Sequence, residues 1–175
     1  MHNLDTRPDG GSLEVAVGGL SRCDLIATLS LQQIQLNVYA QILLDDAVFC
    51  DANTQLVISV VERRVSDLGL PDGGTLSQVF DAAQTHGLKL CPPTAGPDLR
   101  LAMAKQESST DLVMSRGHAP DGSYTLAAPT LSDDDEYPKG FYLRAVKGQL
   151  WLRGYRCDDL HLWSPDDRFI FQLHP

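Results

Sequence analysis

Residues 67–103 constrain the fold more than any other stretch, because nearly every position in them has a readable local job. Pro71-Asp72-Gly73-Gly74 reads as a tight turn, with proline presetting φ and glycine supplying the torsions other residues resist. Thr75 with Gln78 three residues on is a capping box, in which each side chain satisfies a backbone N–H at a helix start. Leu76, Val79, Phe80 and Ala83 then recur on one face of a 3.6-residue period. Gly87 is placed to take the left-handed conformation that ends the helix, and Leu88 to fold back over its last turn. Cys91-Pro92-Pro93 and Gly96-Pro97 predict an irregular passage into an extended run over residues 99–103, where Leu99, Leu101 and Met103 alternate with Arg100 and Ala102. The stretch specifies a fold unit and no chemistry.

Elsewhere the signals are local too. Leu13, Val15 and Val17 alternate as in a strand closed by Gly18-Gly19. Ser30 with Gln33 reads as a second capping box, and Leu31, Ile34, Val38 and Ile42 predict a helix running to about Leu44. Residues 24–29 extend it N-terminally, and the alternation of Ile34, Leu36 and Val38 is the competing strand reading. Residues 55–61 are β-branched and apolar on both faces, as in a central strand. Later come extended runs at residues 112–114, around Tyr124 and Leu126, and at residues 169–173. A turn at Ala119-Pro120-Asp121-Gly122 and a hairpin of residues 141–146 and 149–155 about Lys147-Gly148 join them. Together these predict an α+β fold: N-terminal helices packed on a mainly antiparallel sheet formed largely by the C-terminal half. Residues 1–11 read as a flexible leader and 12–175 as one domain.

Charge is the clearest compositional bias. Twenty-three acids against 14 Lys and Arg give a net charge of −9. Such a field repels nucleic-acid phosphate and anionic lipid, and either favours a basic protein partner or simply keeps the protein soluble. No apolar run approaches the ~20 residues that span a bilayer. The four cysteines form no Cys-x-x-Cys, and the N-terminus carries no basic then apolar export signal, so free thiols in a cytoplasmic protein are expected.

Three stretches carry a resemblance: residues 67–74 (Asp-Leu-Gly-Leu-Pro-Asp-Gly-Gly); 87–92 (Gly-Leu-Lys-Leu-Cys-Pro) with Gly96-Pro97 and Leu99-Arg100-Leu101; and 163–171, from Trp163-Ser164-Pro165-Asp166 to Phe171. Together they resemble a recurrent pattern in small bacterial proteins of unassigned function, over roughly the C-terminal two-thirds and leaving residues 1–54 outside. The resemblance implies a single unit and no activity or cofactor.

Catalytic constellations are thin. Cys157-Asp158-Asp159-Leu160-His161 crowds a thiol, carboxylates and an imidazole into five residues, whereas catalytic partners normally converge from separate elements. Asp133, Asp134, Asp135 and Glu136 lack the alternating spacing of a calcium loop and read as a solvated run. No phosphate loop, Gly-x-Ser-x-Gly or His-Glu-x-x-His occurs, and no cofactor or metal is implied. What remains is a surface. Trp151, Arg153 and Tyr155 alternate onto one face of the hairpin, with Tyr142 and Trp163 nearby, and Trp, Tyr and Arg are the residue types that dominate binding hot spots; Trp151 as a core residue is the competing reading. The expected contact residues are therefore Asp133, Asp134, Asp135, Glu136, Trp151, Arg153, Tyr155 and Trp163. The expected function is non-catalytic protein binding of the immunity, adaptor or inhibitor kind. The alternatives are a small hydrolase-like enzyme using dispersed groups such as Cys91, His118 or His161, and a structural domain of a larger assembly.

Overall fold

The computed structural model describes residues 11–50, 54–110 and 119–175. Its elements run β1 (Leu13–Val17), α1 (Arg22–Leu31), β2 (Gln35–Leu36), α2 (Val38–Leu44), β3 (Leu56–Arg64), α3 (Leu76–Thr85), β4 (Leu88–Lys89), α4 (Ala95–Ala102), β5 (Tyr124–Leu126), β6 (Gly140–Val146), β7 (Gln149–Tyr155) and β8 (Arg168–Leu173). The expected leader, apart from Gly11, and the extended run at 112–114 lie outside the described residues.

The α+β class holds, with a mixed sheet. The strand order is β1-β3-β8-β5-β6-β7-β2, and β4 joins β8 off that path. Pairings β5–β8 and β2–β7 are parallel; the rest are antiparallel. The sheet is less C-terminal than expected, because β3 lies inside it between β1 and β8. Its two faces carry separate cores, since successive strand residues point oppositely. Ile170 and Val60 belong to the cluster that also holds residues of α1, α2 and α4, while Phe169, Phe171 and Val61 belong to the one that holds Val79 and Ala83 of α3.

The capping box of α3 forms as expected: Gln78 N–H donates to Thr75 Oγ1 and Thr75 N–H to Gln78 Oε1. Gly87 takes φ 73°, and Lys147-Gly148 take φ 49° and 77° at the hairpin turn. The turn near Pro120 is displaced by one residue, closed by Ser123 N–H donating to the Pro120 carbonyl with Gly122 at φ 73°.

Two expectations fail. The single helix to Leu44 is instead α1, β2 and α2. Ser21, not Ser30, is the first N-cap, accepting from Asp24 N–H, and Asn37 caps α2 by accepting from Ala40 N–H. Between them Gln33 adopts φ 57°, Gln33 N–H donates to Ser30 O, and Ile34 N–H donates to Leu29 O. That pair of bonds is a Schellman stop, built here on a non-glycine residue. The extended run at 99–103 is helix α4. Pro97 falls in its first turn, where the missing N–H has no intrahelical partner in any case. Gly96 is required by close approach, as a Cβ there would lie 2.5 Å from the Phe141 ring.

Asn37 also docks α2 on the sheet. Its Nδ2 donates to Gly154 O at 2.9 Å, and its Oδ1 accepts from Gly154 N–H at 2.8 Å. The side-chain amide thus continues the β2–β7 ladder for one residue beyond the backbone pairing.

Candidate functional site

On the hairpin, Tyr142 lies opposite Arg153 and Arg144 opposite Trp151. Directly paired residues share a face, so these four side chains and Tyr155 project together, away from Phe141, Leu143 and Leu152 in the first core. Arg153 Nε donates to Tyr142 Oη at 2.7 Å. Its guanidinium carbon stands 5.1 Å from the Trp151 ring centre and 5.8 Å from that of Tyr142. Trp151, Arg153, Tyr142 and Tyr155 are all half-buried. Tyr155 continues the series edge-to-face onto Trp163 at 5.5 Å.

Trp163 corrects the expected contact set. It is 4% exposed, packed in the second core against Phe169, and its backbone pairs with Gly74. The expected turn at residues 71–74 closes one residue earlier, with Gly73 N–H donating to the Leu70 carbonyl; Gly74 beyond it pairs with Trp163, and the indole is core.

The acidic loop is solvated as expected, yet most of its charges are already engaged. Asp134 Oδ1 accepts from Glu136 N–H, Asp135 lies 3.5 Å from Lys139 Nζ, and Glu136 pairs with Arg156. Arg156 in turn stands 4.8 Å over the Tyr39 ring on α2. The loop and the end of the hairpin are thereby joined. Tyr39 and Arg156 were absent from the sequence-based set, because nothing local in the sequence pairs α2 with the end of β7.

Among the described residues, Cys91 and His161 do not converge. Cys91 is buried in the first core and Cys157 packs against the second, on the other face of the sheet. Burial pushes the Cys91 thiol up to about 12. Burial also outweighs the opposing Lys139 charge and pushes Cys157 up to about 11. Neither is a thiolate at neutral pH, so neither is an activated nucleophile. His161 stacks edge-to-face on Trp163 at 5.3 Å, and His118 lies outside the described residues. All four cysteines are free, and among the described residues no three His, Cys, Asp or Glu side chains gather to hold a metal.

A cleft of about 430 Å³ opens where the parallel strands β5 and β8 begin, lined by Pro120, Asp121, Ser123, Ser164, Asp166 and Arg168 among others. Its polar groups mostly hold its own walls. Ser123 Oγ donates to Pro120 O, Asp121 accepts from Thr110 Oγ1, and Arg168 Nε lies 3.4 Å from Glu62. Burial raises the Glu62 carboxyl above the usual range, against the lowering effect of Arg168 and Arg64. Among the described residues neither Cys nor His lines the cleft.

No helix among the described residues is long and apolar enough to cross a membrane. No family model, curated protein or solved structure matches this chain.

Proposed function

We propose that this chain is a non-catalytic protein-binding domain of the immunity, adaptor or inhibitor kind, in contact with its partner through the outer face of the β6–β7 hairpin. The observation that carries the reading is Arg153, held between Trp151 and Tyr142 on paired strands and still partly exposed. Tyr, Trp and Arg on a rigid element lose little conformational entropy on binding, which is why they dominate interface energetics. The net charge of −9 and the loop at Asp133, Asp134, Asp135 and Glu136 act at longer range, steering a basic region of the partner during encounter.

Capture from a lysate of the native cell, read by mass spectrometry, tests the reading. Wild-type protein is compared with a Trp151→Ala/Arg153→Ala variant whose melting curve is intact. A protein retained by the first and lost from the second supports it, and identical captured sets overturn it.

A further inference from the structure

The charge of this chain is distributed unevenly. Residues 139–156 contain Lys139, Arg144, Lys147, Arg153 and Arg156, five of the 14 Lys and Arg, and none of the 23 acids. In a chain of net charge −9, the hairpin is a basic island. Its members are not equivalent. Lys139 is held by Asp135 and Arg156 by Glu136, while Arg144 is fully buried. Lys147 sits exposed at the turn. Arg153 is partly exposed and held in a fixed orientation by neutral groups, its Nε committed to Tyr142 and its plane flanked by two rings. Among the described residues its two terminal nitrogens have no hydrogen-bond partner.

We infer that the outer face of the hairpin docks an acidic segment of the protein partner, with one Asp or Glu carboxylate seated on the terminal nitrogens of Arg153 and an apolar neighbour against Trp151. The inference rests on the protein-binding reading and names the chemistry at its centre. A guanidinium presents two parallel N–H donors that match a carboxylate, and the flanking rings remove the entropy cost of orienting them. One such fork suits one carboxylate, whereas phosphorylated motifs are held by clusters of arginines. A nucleic acid would meet the full negative field of the body at every phosphate. A short acidic segment meets it less, because charges more than about 8 Å away are screened at physiological salt while the contact at Arg153 is not.

The test titrates wild-type protein with an acetylated hexaglutamate peptide and follows tryptophan fluorescence, to which the half-buried Trp151 contributes beside the core residue Trp163. A saturable change is expected, with affinity at least tenfold weaker in Arg153→Gln, partly restored in Arg153→Lys, and undiminished when the four loop acids are replaced by Asn and Gln. Melting curves check that each variant is folded. Equal affinity in wild type and Arg153→Gln, no binding by either, or the same response to hexalysine overturns the inference. Lysate capture separates the two proposals. A partner lost from the Trp151→Ala/Arg153→Ala variant but kept by Arg153→Gln preserves protein binding and removes the carboxylate anchor.

Discussion

Arg100 shows at the scale of one residue how a charged side chain becomes structural. It is fully buried, and its donors reach Gln106 Oε1 at 2.6 Å, Trp151 O at 3.3 Å and Arg144 O at 3.5 Å, with the Met103 carbonyl closer still. The end of α4 is thereby tied to β6 and β7 beneath the proposed contact face. Burial pulls its pKa down to about 10, which leaves it charged at neutral pH. In the sequence Arg100 is the polar member of an alternating run, since nothing in local pattern distinguishes a solvated arginine from one that collects carbonyls on three segments. A lysine there places all its donors on one nitrogen and cannot span them. Arg100→Lys is therefore expected to lower stability by about 3 kcal/mol, the cost of leaving a buried charge and several carbonyls poorly paired. A urea midpoint within error of wild type would show that the carbonyl set does not hold α4 in place.

At the scale of elements, stops rather than starts separate what could be read from what could not. Helix α3 is legible because both its ends use the expected chemistry, a Thr75–Gln78 box and Gly87. Helix α1 ends on Gln33, which performs at φ 57° the task usually left to glycine, so its end carries no compositional mark. Helix α4 fails for the opposite reason. Gly96 and Pro97 look like breakers, but proline is tolerated in a first turn and the glycine admits Phe141. The stop at Gln33 is testable. Gln33→Gly relieves the left-handed torsion and leaves in place the backbone carbonyl that accepts from Gln149 Nε2. It should raise stability by about 0.5–1 kcal/mol, read as a higher melting temperature. A decrease would mean that the added freedom of the unfolded chain outweighs the relieved strain.

At the scale of the whole molecule, strand order is the part that local pattern does not encode. The parallel neighbours β5 and β8 are about 40 residues apart in sequence. The candidate face was half legible: Trp151, Arg153 and Tyr155 alternate visibly, whereas the burial of Trp163 depends on its long-range pairing with Gly74.

The whole molecule also sets a pH profile whose sign follows from its buried acids. Burial raises the carboxyls of Glu62 and Asp98 above their ordinary values, outweighing Arg168 for the first and the Gly18 N–H for the second. An acid whose folded pKa lies above its unfolded one binds its proton more tightly when folded, so stability falls as pH rises between the two values. Above the folded pKa the full penalty is present, and below about pH 4 it is gone. Self-repulsion adds in the same direction, because net charge grows from zero near the sequence pI of 4.8 to −9 at pH 7. The buried thiols of Cys91 and Cys157 extend the loss above about pH 8.5, where unfolded cysteines ionise and these do not. Asp46 opposes the trend. The Val48 N–H and the Tyr137 hydroxyl hold its carboxyl low, so its contribution is present above about pH 4 and lost as pH falls further. The two signs leave a maximum on the acid side of neutrality, and the urea midpoint is expected to peak between about pH 5 and 6 and to decline toward about pH 9. Asp98→Asn keeps an acceptor for Gly18 N–H without a charge to bury, and should flatten part of that decline. A midpoint that climbs steadily from about pH 5 to about pH 8 would show that these burial costs are offset in the folded state.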